Sequence, residues 1–177
     1  MKTINRKVIA LVALTLLSAT AAFAGTPPEQ QTMDKVRKEL VTLPYFGVFD
    51  NLEYKVEGGT VTLYGQVVRP STRSDAAKRV ARIEGVDRVI NSIEVLPLSG
   101  FDDSIRAREY RAIFRSGSLY RYALGTNPSI HIIVNRGRVT LEGVVSSQMD
   151  SQLAAIAAQG VGGVFAVTNN LRVAGKS

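Results

Sequence analysis

The chain has 177 residues, with 22 Lys and Arg against 15 Asp and Glu, and it lacks both cysteine and tryptophan. The missing cysteine excludes disulfides, thiolate metal sites, cysteine nucleophiles and a lipid-modified amino-terminal cysteine. Three of the basic residues and none of the acidic ones fall in the first 24 positions, so the remainder carries 19 against 15, a net charge of +4 that is too modest to assign a partner.

In chain order, Lys2, Arg6 and Lys7 precede an apolar run from Val8 to Leu17, and Ala22-Phe23-Ala24 places small residues where a signal peptidase reads. This pattern predicts an export signal over 1–24, cleaved before Gly25, and hence a periplasmic protein. The apolar run is short of the roughly 20 residues that a membrane span needs. Residues 25–33 are polar and are expected to be a disordered lead. A helix is expected from Asp34 to Leu43. Leu52–Val56 and Thr60–Val67 then alternate apolar and polar around Gly58-Gly59, as a β-hairpin does. Gly65 interrupts its second strand, where a bulge or a close backbone approach would require glycine. Thr72–Ile83 has Ala76, Ala77, Val80 and Ile83 at helical spacing, with Ser71 or Thr72 as cap and Gly85 after its end. Arg88–Val95 alternates again as a last strand, and 97–101 forms a short linker.

The same succession follows once more. A helix is expected from Asp103 to Ser116, a hairpin from Ile130–Val134 through Asn135-Arg136-Gly137 into Arg138–Val145, and a helix from Ser147 to Ala158. This last helix shows Leu153, Ala154, Ile156 and Ala157 at helical spacing, and a strand from Ala166 to Val173 and a tail of 174–177 close the chain. Shifted by 78 residues, 52–95 lies over 130–173 without a gap, and 14 of the 44 pairs are identical, so the chain is a duplication. The fold class is α+β: two tandem αββαβ units, 34–96 and 102–173, each a three-stranded sheet with two helices on one face. Ser118–Ser129 has no counterpart in the first unit.

The hairpin Val56-Glu57-Gly58-Gly59-Thr60-Val61-Thr62-Leu63-Tyr64-Gly65-Gln66-Val67 and its copy from Val134 to Val145 resemble one family's hairpin pattern. So do the closing strands Gly85-Val86-Asp87-Arg88-Val89-Ile90-Asn91-Ser92-Ile93-Glu94-Val95 and Gly163 to Val173. The pattern is that of the BON domain, named for bacterial osmotically inducible and nodulation proteins. The resemblance covers Asp34 to Val173. It implies a periplasmic module that binds phospholipid surfaces or other envelope proteins and supports envelope integrity or stress survival, without catalysis.

The most distinctive segment interleaves basic and aromatic residues: Arg106, Arg108, Tyr110, Arg111 and Arg115, then Tyr120, Arg121 and Tyr122. On a helix Arg108, Arg111 and Arg115 share one face, with Tyr110, Ile113 and Phe114 on another arc. Guanidinium groups bind phosphate in a bidentate fashion, and tyrosine suits a membrane–water boundary. These eight residues are therefore candidates for lipid contact, the alternative being a core helix with a solvated arginine face. Arg136 and Arg138 at the second hairpin tip, beside turn amides, are candidates for a weak anion site, although turn chemistry alone explains the Asn and Gly. His131, the only histidine, reads as ordinary surface, and nothing accompanies it as a metal ligand.

No Ser-His-Asp arrangement is arguable and no glycine-rich loop opens a helix after a strand, so neither an enzyme nor a cofactor or small-molecule substrate is expected. Nucleic acid is not expected either, since no aromatic residues line a sheet as stacking platforms. Two functions remain. One is contact with an anionic membrane surface, mainly through the second unit. The other is a periplasmic protein-interaction or chaperone-like module that engages envelope proteins.

Overall fold

The computed structural model describes residues 28–175 apart from Ser116 and Thr126. The expected signal segment and the end of the tail lie outside the described residues. The first unit runs α1 (Pro28–Val41), β1 (Asn51–Glu57), β2 (Thr60–Val67), α2 (Pro70–Val80), β3 (Arg88–Asn91) and β4 (Glu94–Val95). The second runs α3 (Gly100–Phe114), a 3₁₀ turn (Leu119–Ala123), β5 (Ile130–Asn135), β6 (Arg138–Val145), α4 (Gln148–Gln159), β7 (Ala166–Asn169) and β8 (Arg172–Val173). In each unit the central strand pairs antiparallel with its hairpin partner and parallel with the two short closing strands.

The hairpins form as the alternation dictates. Val61, Leu63 and Val67 of β2, like Val139, Leu141 and Val145 of β6, point into a core under the helices. Gly65 and Gly143 take φ of 110° and 117°, and a Cβ at either would collide with the carbonyl oxygen of Asn51 or Ser129. The glycines are thus required by close backbone approach.

The closing strand of each unit is split in two, which makes the sheets four-stranded. An asparagine accounts for the break. Asn91 accepts the Ile93 N–H at 3.2 Å and donates to the Arg73 carbonyl at 3.0 Å, and Asn169 likewise accepts from Leu171 and donates to Ser151. Its side chain replaces one ladder position and ties the strand to the helix above it.

Helix boundaries differ most from expectation. α1 begins at Pro28, so residues 28–33 of the expected disordered lead are helical, and Thr32 and Met33 pack inward. Proline is suited to a first helical position because its missing N–H would be unpaired there in any case. α2 starts after Arg69 with Pro70 and has no side-chain cap, whereas α3 and α4 are capped by Ser99 and Ser147, which accept from Asp102 and Asp150. α3 begins inside the expected linker.

Each unit has its own apolar core, and domains this small are marginal alone. A seam joins them. The loop before β1 lies along the free edge of β5, where Ile132 donates to the Val48 carbonyl at 2.7 Å, and Val48 and Phe49 pack against the second core. Phe46 meets the His131 ring at 5.5 Å, Phe49 meets Tyr110 edge-on at 6.4 Å, and Asn127 donates to the Val41 carbonyl at 2.7 Å. His131 is accordingly half-buried with Nδ1 3.2 Å from the Gly47 carbonyl, and burial holds its pKa below the ordinary imidazole value. It belongs to the seam and is not ordinary surface.

Candidate functional site

α3 carries most of the sequence-derived candidates, and its helical period sorts them. Ile105, Arg106, Glu109 and Ile113 face inward, whereas Arg108, Tyr110, Arg111 and Arg115 are exposed. Arg106 is a correction to the lipid-contact set. It is only 4% exposed, bonds Asp103 at 2.6 Å and donates to the Val134 carbonyl of β5 at 2.7 Å, so it ties helix to sheet and cannot reach an outside surface. Beside it Glu109 is fully buried with neither carboxylate oxygen partnered among the described residues, and burial raises its pKa to about 7.

Tyr122 is the second correction. The segment that the first unit lacks folds into the 3₁₀ turn, which buries Leu119 and Tyr122. The Tyr122 hydroxyl accepts the Ser146 N–H at 2.8 Å and donates to Asp150 of α4 at 2.9 Å, and Arg121 reaches the same carboxylate at 2.7 Å. The Ser147 hydroxyl, followed by Tyr122 and Arg121, holds Asp150 below the usual carboxylate range. Arg121 is half-exposed but already paired. Both residues fasten α4 to the 3₁₀ turn.

Of the remaining candidates, four share one place, and Arg108 stands apart from it near Gly163. Tyr110, Arg111, Phe114, Arg115, Gly117, Tyr120 and Ala123 line an open groove of about 500 Å³ at the carboxyl end of α3. The Tyr110 and Phe114 rings lie 4.9 Å apart, Tyr120 is exposed, and Arg111 and Arg115 complete the lining, with Arg111 Nε donating to the Ala107 carbonyl at 2.9 Å. Among the described residues neither arginine is in an ion pair. Aromatic rings and cations in one groove have the chemistry to suit an anion joined to an apolar body.

The hairpin tip behaves differently. Asn135 pairs with Arg138 across a two-residue turn in which Arg136 and Gly137 take φ of 51° and 74°. The amides of both turn residues donate to the Asp102 carboxylate, each at 2.8 Å. An anion does sit there, and it is the protein's own buried Asp102. The turn amides are therefore not available to an external ligand, although the Arg136 and Arg138 side chains remain exposed.

The periodicity of α4 points to the wrong inward face. Leu153 and Ile156 are 39% and 64% exposed, and Met149 is 69% exposed; Ala154 and Ala158 fill the core positions instead. A signal for this lies in the repeat. At the matching places of α2 stand Ser71, Asp75 and Lys78.

A family model for the BON domain matches residues 28–97 and again 102–175. The chain belongs to the BON domain family. The two matches coincide with the two αββαβ units, so the seam joins one BON domain to the next, and the aromatic groove lies wholly in the second. No curated protein matches the chain. Among solved structures, it is similar to the carboxy-terminal domain of CdsD, a structural protein of the type III secretion system of Chlamydia trachomatis. That likeness has 12% identity and a TM-score of 0.29 and covers 80% of this chain and 96% of the other. A second structure of CdsD gives 13% identity, a TM-score of 0.29, and coverage of 82% and 94%. Likeness this distant bears no functional argument. Among the described residues no cluster of three or more His, Asp or Glu side chains is placed to hold a metal ion, and no helix is long and apolar enough to cross a membrane.

Proposed function

We propose that this tandem BON protein is a non-catalytic periplasmic module that contacts anionic phospholipid surfaces and supports envelope integrity under stress. The contact is made by the second domain. The observation that carries this reading is the groove lined by Tyr110, Phe114, Tyr120, Arg111 and Arg115. Its guanidinium groups match phosphate, and its rings match the first carbons of an acyl chain. The cavity beside α1 and α2 of the first domain is lined by charge instead. There Lys35, Lys38, Arg79 and Arg82 stand among Glu39 and Glu84, with ion pairs from Lys35 to Glu84 and Arg79 to Glu39.

The test is co-sedimentation with vesicles of phosphatidylcholine with and without phosphatidylglycerol, across a salt series. Binding should require the anionic lipid and weaken with salt, because exposed charges are screened. At roughly 1 kcal/mol per arginine near an anionic leaflet, Arg111→Ser with Arg115→Ser should weaken it about 30-fold. Arg136→Ser with Arg138→Ser should change it little. Indifference to every vesicle would overturn the reading in favour of a protein partner.

A further inference from the structure

We infer that α4 is an insertion element: Met149, Leu153 and Ile156 enter the apolar boundary of an anionic bilayer beside the headgroups that the α3 arginines hold. This rests on the lipid-contact reading and adds how the bilayer is entered and which helix enters it.

The three residues stand at i, i+4 and i+7 and so form one stripe along the helix. All three are exposed, although their core-facing neighbours on the same helix are fully buried. α4 contains one charged residue, Asp150, and that one is buried and bonded to Arg121 and Tyr122. The outward face therefore carries no charge to desolvate. The other copy of the same helix acts as an internal control. α2 has the same place in the same fold, and its matching positions are Ser71, Asp75 and Lys78. The fold does not ask for apolar residues there.

The stripe lies on the helix packed against the one that carries the arginines. α3 begins where α4 ends, since Phe101 stacks on Phe165 at 6.1 Å and Arg108 lies against Gly163. α3 in turn leads through the 3₁₀ turn to the first turn of α4, where Arg121 holds Asp150. The two helices thus run antiparallel in one layer, with Arg108 beside the turn that follows α4 and Arg111 and Arg115 exposed further along α3. None of the three is in an ion pair among the described residues. Arg111 Nε donates to the Ala107 carbonyl at 2.9 Å, but among the described residues no carboxylate neutralises it. An apolar stripe in one layer with unneutralised cations is the pattern of a helix lying in a membrane interface. A symmetric dimer across this face would set the arginine rows of two copies against each other, which like-charge repulsion disfavours. At about 1.5 Å per residue α4 is far too short to span the bilayer and is suited to lying along its surface.

The chain has no tryptophan, so Leu153→Trp places a single reporter in the stripe. With vesicles containing phosphatidylglycerol and brominated acyl chains, the emission of that indole should shift to the blue and be quenched. The combined variant Met149→Ser, Leu153→Asp, Ile156→Lys installs the residues of the first domain without changing net charge. It should keep the wild-type melting temperature and weaken vesicle binding about 10-fold or more. Vesicle binding that leaves the reporter's emission unshifted, or binding untouched in the combined variant, would overturn insertion and leave the arginine contact standing. Failure of the wild type itself to bind would overturn both. A shift of the reporter's emission that depends on protein concentration without vesicles would assign the stripe to a second copy and overturn insertion.

Discussion

Glu109 is the residue whose environment is least reconciled with its charge. Its carboxyl ordinarily titrates near 4.5 and in the folded chain does so at about 7, because it is buried without a hydrogen-bond partner among the described residues. Between those values the folded state holds a proton that the unfolded chain has released. Its stabilising contribution is therefore complete below pH 4.5 and is lost as pH rises through about 7. His131 acts in the opposite sense, since its lowered pKa makes stability fall as pH drops below 6.5. The difference between wild type and Glu109→Gln isolates the carboxyl. Urea unfolding at a series of pH values should show that difference growing in favour of the variant from about pH 5 to 8, reaching about 2–3 kcal/mol. Parallel profiles for the two proteins would show that Glu109 is charged and accommodated. Asp102 shows the contrasting case of a buried carboxylate that the fold uses: it takes two turn amides and lets Arg136 occupy a left-handed backbone conformation.

Among the elements, the 3₁₀ turn is what separates the second domain from the first. The first domain pairs the Val68 amide with the Asp50 carboxylate at 2.7 Å, and the second pairs the equivalent Ser146 amide with the Tyr122 hydroxyl. Tyr122→Phe would leave that amide and one Asp150 hydrogen bond unmade. Denaturant unfolding should show a loss of about 1–3 kcal/mol with the m-value unchanged, and no loss would contradict a fastening role. The hairpins are legible in the sequence because a period of two combined with turn glycines leaves little choice of register. The split closing strands are not, because Asn91 and Asn169 act through hydrogen bonds to a helix distant in sequence. Helix starts are displaced for a similar reason: Pro28 and Pro70 mark first positions as well as any cap residue does. In α4 the apolar period identifies the helix but not its inward face, since alanines suffice to fill the space that the sheet leaves. The arginine-rich segment stands out by composition alone. Its division into structural Arg106, Arg121 and Tyr122 and surface Arg108, Arg111 and Arg115 depends on where β5 and α4 lie.

Over the two domains together, the seam along β5 and the groove beyond it share α3. Tyr110 touches Phe49 of the first domain with one part of its ring and lines the groove with another. The first domain thereby covers an otherwise open sheet edge, which would be a template for aggregation, and leaves the outer layer of α3 and α4 facing solvent. Under the proposed function, duplication has given one domain that supports and one that contacts, a division carried by the 3₁₀ insertion and by the α4 stripe. Membrane contact should accordingly belong to the second domain alone. Hydrogen exchange of the full chain, with and without vesicles containing phosphatidylglycerol, resolves the two domains in one experiment. Protection should appear over 110–123 and 148–160 and be absent over 28–41 and 70–80. Protection of α1 and α2, or an unchanged pattern throughout, would contradict a contact confined to the second domain.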